Sequence, residues 1–182
     1  IFNEFDSSFI SSSIICIIFG VLFFLSNLDH EKKLNLPQAF LLTALSWITI
    51  AVFGSLPFIF SSLNLSITDS FFESMSGITT TGSTIIVNLE AVPKSILLWR
   101  AILQWLGGIG IIVMAITLMP IMNVGGMQLF KTSSRDTAEK ILPRSKQVTI
   151  RLIIIYLFFT TLCCLLYNIF GMSFFDSITH SM

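Results

Sequence analysis

The chain has 182 residues, of which 54% are hydrophobic and 11% charged, against about 25% charged in soluble domains. So much apolar surface, including 18 Phe, cannot be hidden inside a water-soluble domain of this size, and a lipid bilayer is its natural solvent. A formal net charge of zero excludes a global field for nucleic acid.

Residues 9–27 form the first apolar run, and nineteen helical residues reach about 28 Å, enough to cross. No basic region precedes it, so it is a poor signal peptide. A short polar turn follows, in which His30 is read as solvated. Pro37 suits the first turn of the second span, 38–60, which Pro57 kinks or ends. The third span is 96–119, stopped by Pro120, and the fourth is 149–170. Cys16, Cys163 and Cys164 fall within these runs and are read as small buried hydrophobes. No metal-ligand spacing, phosphate loop or nucleophile elbow is present, so an enzyme is not indicated and no bound cofactor is expected.

The basic residues orient the spans. Lys32, Lys33, Lys131, Arg135, Lys140, Arg144, Lys146 and Arg151 fall on one side, against only Lys94 and Arg100 on the other. By the positive-inside rule the first side is cytoplasmic, and residues 1 and 182 lie outside. The inner basic residues either mark topology alone or also bind anionic lipid or a partner. Glu4, Asp6, Asp69, Glu73, Glu90 and Asp176 lie on the outer side, where they either concentrate cations or are merely solvated.

Between spans two and three the chain leaves and returns on the outer side. Ser66 and Asp69 make a capping-box-like start, and Phe71, Phe72, Met75 and Ile78 share a helical face. The spacing predicts a helix over 67–77, which Gly77 can end. At roughly 16 Å it reaches halfway through the membrane. The hydroxyl-rich run 79–84 then returns in extended form. Irregular backbone at that depth must be buried in protein or line a watery cavity. Carbonyls of Thr79, Thr80, Thr81, Gly82 and Ser83 suit a dehydrated cation, and Gly82 frees the backbone conformation. The negative end of the short helix points at the same place.

A repeat strengthens this reading. Ser70–Gly77, "SFFESMSG", overlays Ser173–His180, "SFFDSITH", at an offset of 103, and Asp176 takes the place of Glu73. One complete span, half-helix, loop and span is followed by the first half of another. The start at Ile1 and stop at Met182 lead us to expect a piece of a longer protein. Non-identical tandem units favour a cage assembled from repeats within one chain.

The stretch "DSFFESMSGITTTGSTI", followed by "LLWRAILQWLGGIGIIVMAITLMPIM" and "VGGMQLF", resembles the first pore repeat of the Trk/Ktr/HKT superfamily of potassium transporters, in its bacterial TrkH branch. "FFDSITHSM" resembles the start of the second pore helix, where His180 falls at a position the family also fills with His. The resemblance implies an all-α membrane fold with a pseudo-fourfold pore in the full-length chain. Residues 1–35 would be the helix preceding the repeats, 36–122 the first repeat, 123–148 a cytoplasmic loop and 149–182 the start of the second. It implies K⁺ as the transported ion, at Thr80, Thr81 and Gly82. A glycine at the position of Gly82 is associated with potassium preference, and serine with sodium transport in some plant members. It further implies a bacterial inner-membrane location, cytoplasmic nucleotide-binding TrkA-type gating subunits and a homodimer.

Glu73, Arg100 and Asp176 are candidates for filter support or the outer mouth. Arg100 is read as snorkelling outward or pairing with Glu73 or Glu90, and pairing with Glu73 would brace the loop. Gly107, Gly108 and Gly110 are read either as a close helix contact or as a hinge. His180 either titrates near the pathway or bonds a neighbouring backbone. Two rivals remain: a subunit that tetramerises to make its pore, and a membrane scaffold or intramembrane enzyme whose hydroxyls only pack.

Overall fold

The computed structural model describes residues 7–27, 36–122 and 137–182 of the chain. The expectations for Glu4, Asp6, His30, Lys32, Lys33, Lys131 and Arg135 lie outside these residues, as do those for the side chains of Glu90, Lys140, Arg144 and Lys146. The described chain runs α1 (Ser7–Ser26), α2 (Leu36–Ile59), α3 (Ile67–Ile78), a single 3₁₀ turn (Leu89–Ala91), α4 (Lys94–Met122), α5 (Thr137–Ile169) and α6 (Phe174–Ser181). Four of these helices contain stretches long and apolar enough to cross a membrane: Ser7–Ser26, Pro37–Ile59, Lys94–Met114 and Gln147–Ile169.

Two details depart from the sequence reading of the spans. α4 continues through Pro120 to Met122. α5 is already helical from Thr137, so part of the expected inner loop 123–148 belongs to a helix. Pro57 lies inside α2, where its ring removes the donor that the Phe53 carbonyl would have used.

The chain divides into two compact units, residues 1–107 and 108–182. In the first, α1 packs on α2 and α2 on α3. Its core joins Ala51 and Phe58 of α2, Ile78 of α3, Ile86 of the returning loop, and Ile96 and Leu103 of α4. Phe9 of α1 meets Trp99 of α4 edge-on, with ring centroids 5.9 Å apart. Trp99 also donates from its indole N–H to the Gly54 carbonyl at 2.9 Å.

The polarity of α1 is inverted relative to a soluble helix. Ser8 and Ser12 are buried, while Ile17, Phe23 and Phe24 are exposed. The Ser12 hydroxyl donates to the Ser8 carbonyl at 2.7 Å, satisfying it within the helix. Apolar side chains face outward because lipid, not water, is the solvent there. The cysteines correct one expectation: they are not buried. Cys163 is exposed and Cys16 and Cys164 are half-buried, all as free thiols, because thiols on spanning helices can face lipid as readily as core.

In the second unit α5 and α6 pack together. α5 ends in a Schellman motif: Gly171 sits at φ +97°, and the amides of Gly171 and Met172 reach back to the Asn168 and Tyr167 carbonyls. Gly108 faces the Tyr156 ring, and a Cβ there would stand 2.7 Å from its hydroxyl.

Candidate ion-pathway segment

The segment between α2 and α4 is built from α3 outward. Ser66 caps its start, its hydroxyl accepting from the Asp69 amide at 3.1 Å. Phe71 and Met75 pack on the core and Ile78 is buried in it, while Phe72 is exposed. Gly77 does not end the helix. It sits inside the last turn, where a Cβ would approach Leu103 to 3.1 Å. Its job is close packing on α4, so the cap falls later.

That cap is a Schellman motif made without glycine. The Thr80 amide donates to the Gly77 carbonyl at 2.9 Å and the Thr81 amide to the Ser76 carbonyl at 3.0 Å. Thr80 occupies the left-handed position at φ +58°. A β-branched residue is strained there, by about 1–2 kcal/mol. Gly82 follows at φ +76°, a conformation glycine adopts without penalty.

The returning strand is then pinned from behind. The Ser76 hydroxyl donates to the Ser83 carbonyl at 2.6 Å. Glu73 Oε1 accepts from the Thr84 hydroxyl and from the Ile85 amide, each at 2.6 Å. Thr84 in turn accepts from the Ile86 amide at 3.0 Å. Glu73 Oε2 lies 3.0 Å from Arg100 Nε, an ion-pair distance at which the N–H misses hydrogen-bond alignment. The Glu73 side chain has no solvent exposure and that of Arg100 only 16%. Glu73 is therefore not a solvated outer acid. It is an internal strut, because a buried carboxylate needs partners and these donors supply them.

The donors leave one gap. Among the described residues no hydrogen bond reaches the carbonyl oxygens of Thr79, Thr80, Thr81 or Gly82. The strand from Thr80 to Ile85 is exposed in this unit. Ser83 differs from its neighbours in sharing its carbonyl with Ser76.

One face of α4 reads this segment, through residues spaced i, i+4 and i+7. Arg100 meets Glu73. Gln104 lies beside Gly82, where a Cβ would stand 3.4 Å from its Nε2. Gly107 lies against Ile78, and a Cβ there would run into the Ile78 carbonyl. Four helical residues rise about 6 Å, and the two extended residues from Gly82 to Thr84 span about 6.6 Å, so helix and strand stay in step. Arg100 and Gly107 are candidates from the sequence; Gln104 shares their helical face by spacing, but nothing in its own sequence surroundings marks it.

The repeat counterpart of Glu73 has a different local setting. Asp176 is exposed in the first turn of α6 and accepts from the Ser173 hydroxyl at 2.6 Å, while its amide donates back to that hydroxyl at 3.2 Å. Ser66 and Asp69 open α3 in a similar way, so α6 begins one turn later in the repeat than α3 does. His180 Nδ1 lies 2.9 Å from the Asp176 carbonyl, the backbone bond that was one of its two readings. Gly110 lies in α4, in the second unit.

Residues 6–182 match the TrkH family model, described as a cation transport protein. Among curated proteins, the Trk system potassium uptake protein TrkI of Halomonas elongata is 49% identical over 145 residues, covering 80% of this chain and 30% of that protein. TrkH of Escherichia coli K12 is 41% identical over 177 residues, covering 96% and 37%. The crystal structure of the potassium transporter TrkH from Vibrio parahaemolyticus superposes with a TM-score of 0.82 at 37% identity, covering 97% of this chain and 35% of that one. The chain thus spans about a third of the length of these relatives.

Proposed function

Because the chain belongs to the TrkH family of cation transport proteins, with its all-α, multi-span membrane fold, we propose that it supplies one filter segment, and the start of a second, to a potassium uptake pathway. The ion sheds its water into carbonyls of Thr79, Thr80, Thr81, Gly82 and Ser83, with K⁺ held at Thr80, Thr81 and Gly82. The observation that carries this is the set of carbonyls at Thr79–Gly82 that lack an internal donor, on a strand otherwise fastened by Ser76 and Glu73. Unsatisfied carbonyls are costly at membrane depth, and a passing cation repays that cost.

One such strand cannot surround an ion. The complete pathway is a pseudo-fourfold ring of repeats in one polypeptide. Glu73 and Arg100 brace this unit's strand, and Asp176 begins the corresponding helix of the next. Gly107 serves close packing, and Gly108 and Gly110 continue the same small-residue run in α4. The protein sits in a bacterial inner membrane with residues 1 and 182 outside, works as a homodimer, and is gated by cytoplasmic nucleotide-binding TrkA-type subunits.

The test is Gly82→Ser in the full-length protein, reconstituted in liposomes, with K⁺ and Na⁺ fluxes compared. The filter reading expects the K⁺/Na⁺ ratio to fall. An unchanged ratio with normal expression sinks it in favour of a scaffold whose hydroxyls only pack.

A further inference from the structure

Gln104 is a half-buried amide in the span of α4, with no hydrogen-bond partner among the described residues. Placing an unpaired amide there carries a desolvation cost that a leucine of similar volume would avoid. The neighbouring positions on this stretch of α4 show that apolar or small residues suffice for packing: Leu103 fills the space beside Gly54 and Gly77, and Gly107 meets Ile78. What distinguishes position 104 is its opposite number. Its Nε2 faces the α-carbon of Gly82, on the strand whose carbonyls from Thr79 to Gly82 lack donors. The strand is fastened at Ser83 by Ser76 and at Thr84 and Ile85 by Glu73. A Cβ added at Gly82 would meet, chain neighbours aside, only Gln104 Nε2 within 4 Å among the described residues.

We propose that Gln104 is a selectivity-setting positioning residue: its amide backs Gly82 from α4 and limits how far that peptide recedes or turns away from the ion. This inference rests on the filter reading above. A carbonyl that swings toward α4 leaves the cage, and a strand that recedes widens it. Either change weakens discrimination between cations of different radius. The oxygen at the other end of the same amide can accept from a backbone N–H that comes to face α4, and such a bond holds the carbonyls of a conformationally loose Gly82 segment on the ion's side.

The experiment uses the full-length protein in liposomes, with Gln104→Ala and Gln104→Leu beside wild type and Gly82→Ser. Melting in detergent checks folding. Gln104→Ala is expected to lower the K⁺/Na⁺ flux ratio about three- to tenfold, the scale of the one neutral hydrogen bond that the amide can offer a strand drifting toward α4. Gln104→Leu, which keeps the bulk, is expected to lower it as well. The double variant G82S/Q104A should be no less selective than G82S, since both act on one peptide. Wild-type ratios in both Gln104 variants overturn the inference, and so does a Leu variant that restores what Ala loses, because bulk alone would then explain the site. If G82S shifts the ratio while the Gln104 variants do not, only this inference fails. If G82S itself changes nothing, the filter reading fails first.

Discussion

Replacing Glu73 by Ala removes the fastening of the returning strand in one step. Two hydrogen bonds to a charged acceptor are lost, from the Thr84 hydroxyl and the Ile85 amide, each at 2.6 Å. Bonds of this kind are worth about 1.5–3 kcal/mol each. The Arg100 cation, with 16% of its side chain exposed, loses the carboxylate 3.0 Å away. Breaking one side of such a buried pair costs about 3–5 kcal/mol. These figures overlap, since both count the same carboxylate, and a membrane reference state finds replacement partners. A net loss of about 3–4 kcal/mol is therefore expected, a large share of a marginal stability. The assay is reversible unfolding of the full-length protein in mixed micelles, paired with liposome K⁺ flux. Glu73→Gln keeps an acceptor for Thr84 and Ile85 but leaves Arg100 unpaired, so it should fall between wild type and Glu73→Ala. Adding Arg100→Ala to Glu73→Ala should recover part of the loss, because the orphaned cation is gone. If Glu73→Ala unfolds within about 0.5 kcal/mol of wild type and transports normally, the strut account of Glu73 is wrong.

Gly107→Ala should destabilise by about 1–3 kcal/mol and lower the yield of folded protein, because the new methyl meets the backbone carbonyl of Ile78, which cannot swing aside as a side chain can. Gly20→Ala, where nothing lies within 4 Å of the added carbon, is the matched control and should be neutral or better. Thr80→Gly relieves the left-handed strain at φ +58° and should raise stability by about 1 kcal/mol in the same unfolding assay. A loss there would mean that the Thr80 side chain contributes more than its backbone strain costs.

Much of this was open to a reader of the sequence alone. Four apolar runs and the skewed distribution of Lys and Arg are consequences of one solvent, lipid, which acts on each segment independently of the others. The helix over α3 was visible in the Ser66–Asp69 cap and the spacing of Phe71, Met75 and Ile78, since caps and faces are local. The kinship of Ser70–Gly77 with Ser173–His180 was visible too, as a repeat needs no folding to be seen. What only the tertiary structure decided is which groups face one another across the turn. Glu73 was legible as one of two acids that Arg100 could pair with; the fold decides for Glu73, and only the return of the chain puts Thr84 and Ile85 against its other oxygen. Gly77 looked like a helix stop, and packing against Leu103 made it a point of contact instead. Gln104 carried no local signal, because its meaning comes from Gly82, which only the doubling-back of the chain places beside it. Local composition sets where each segment is soluble. The partners of a buried charge or amide depend on how separate segments meet, and no one segment encodes that.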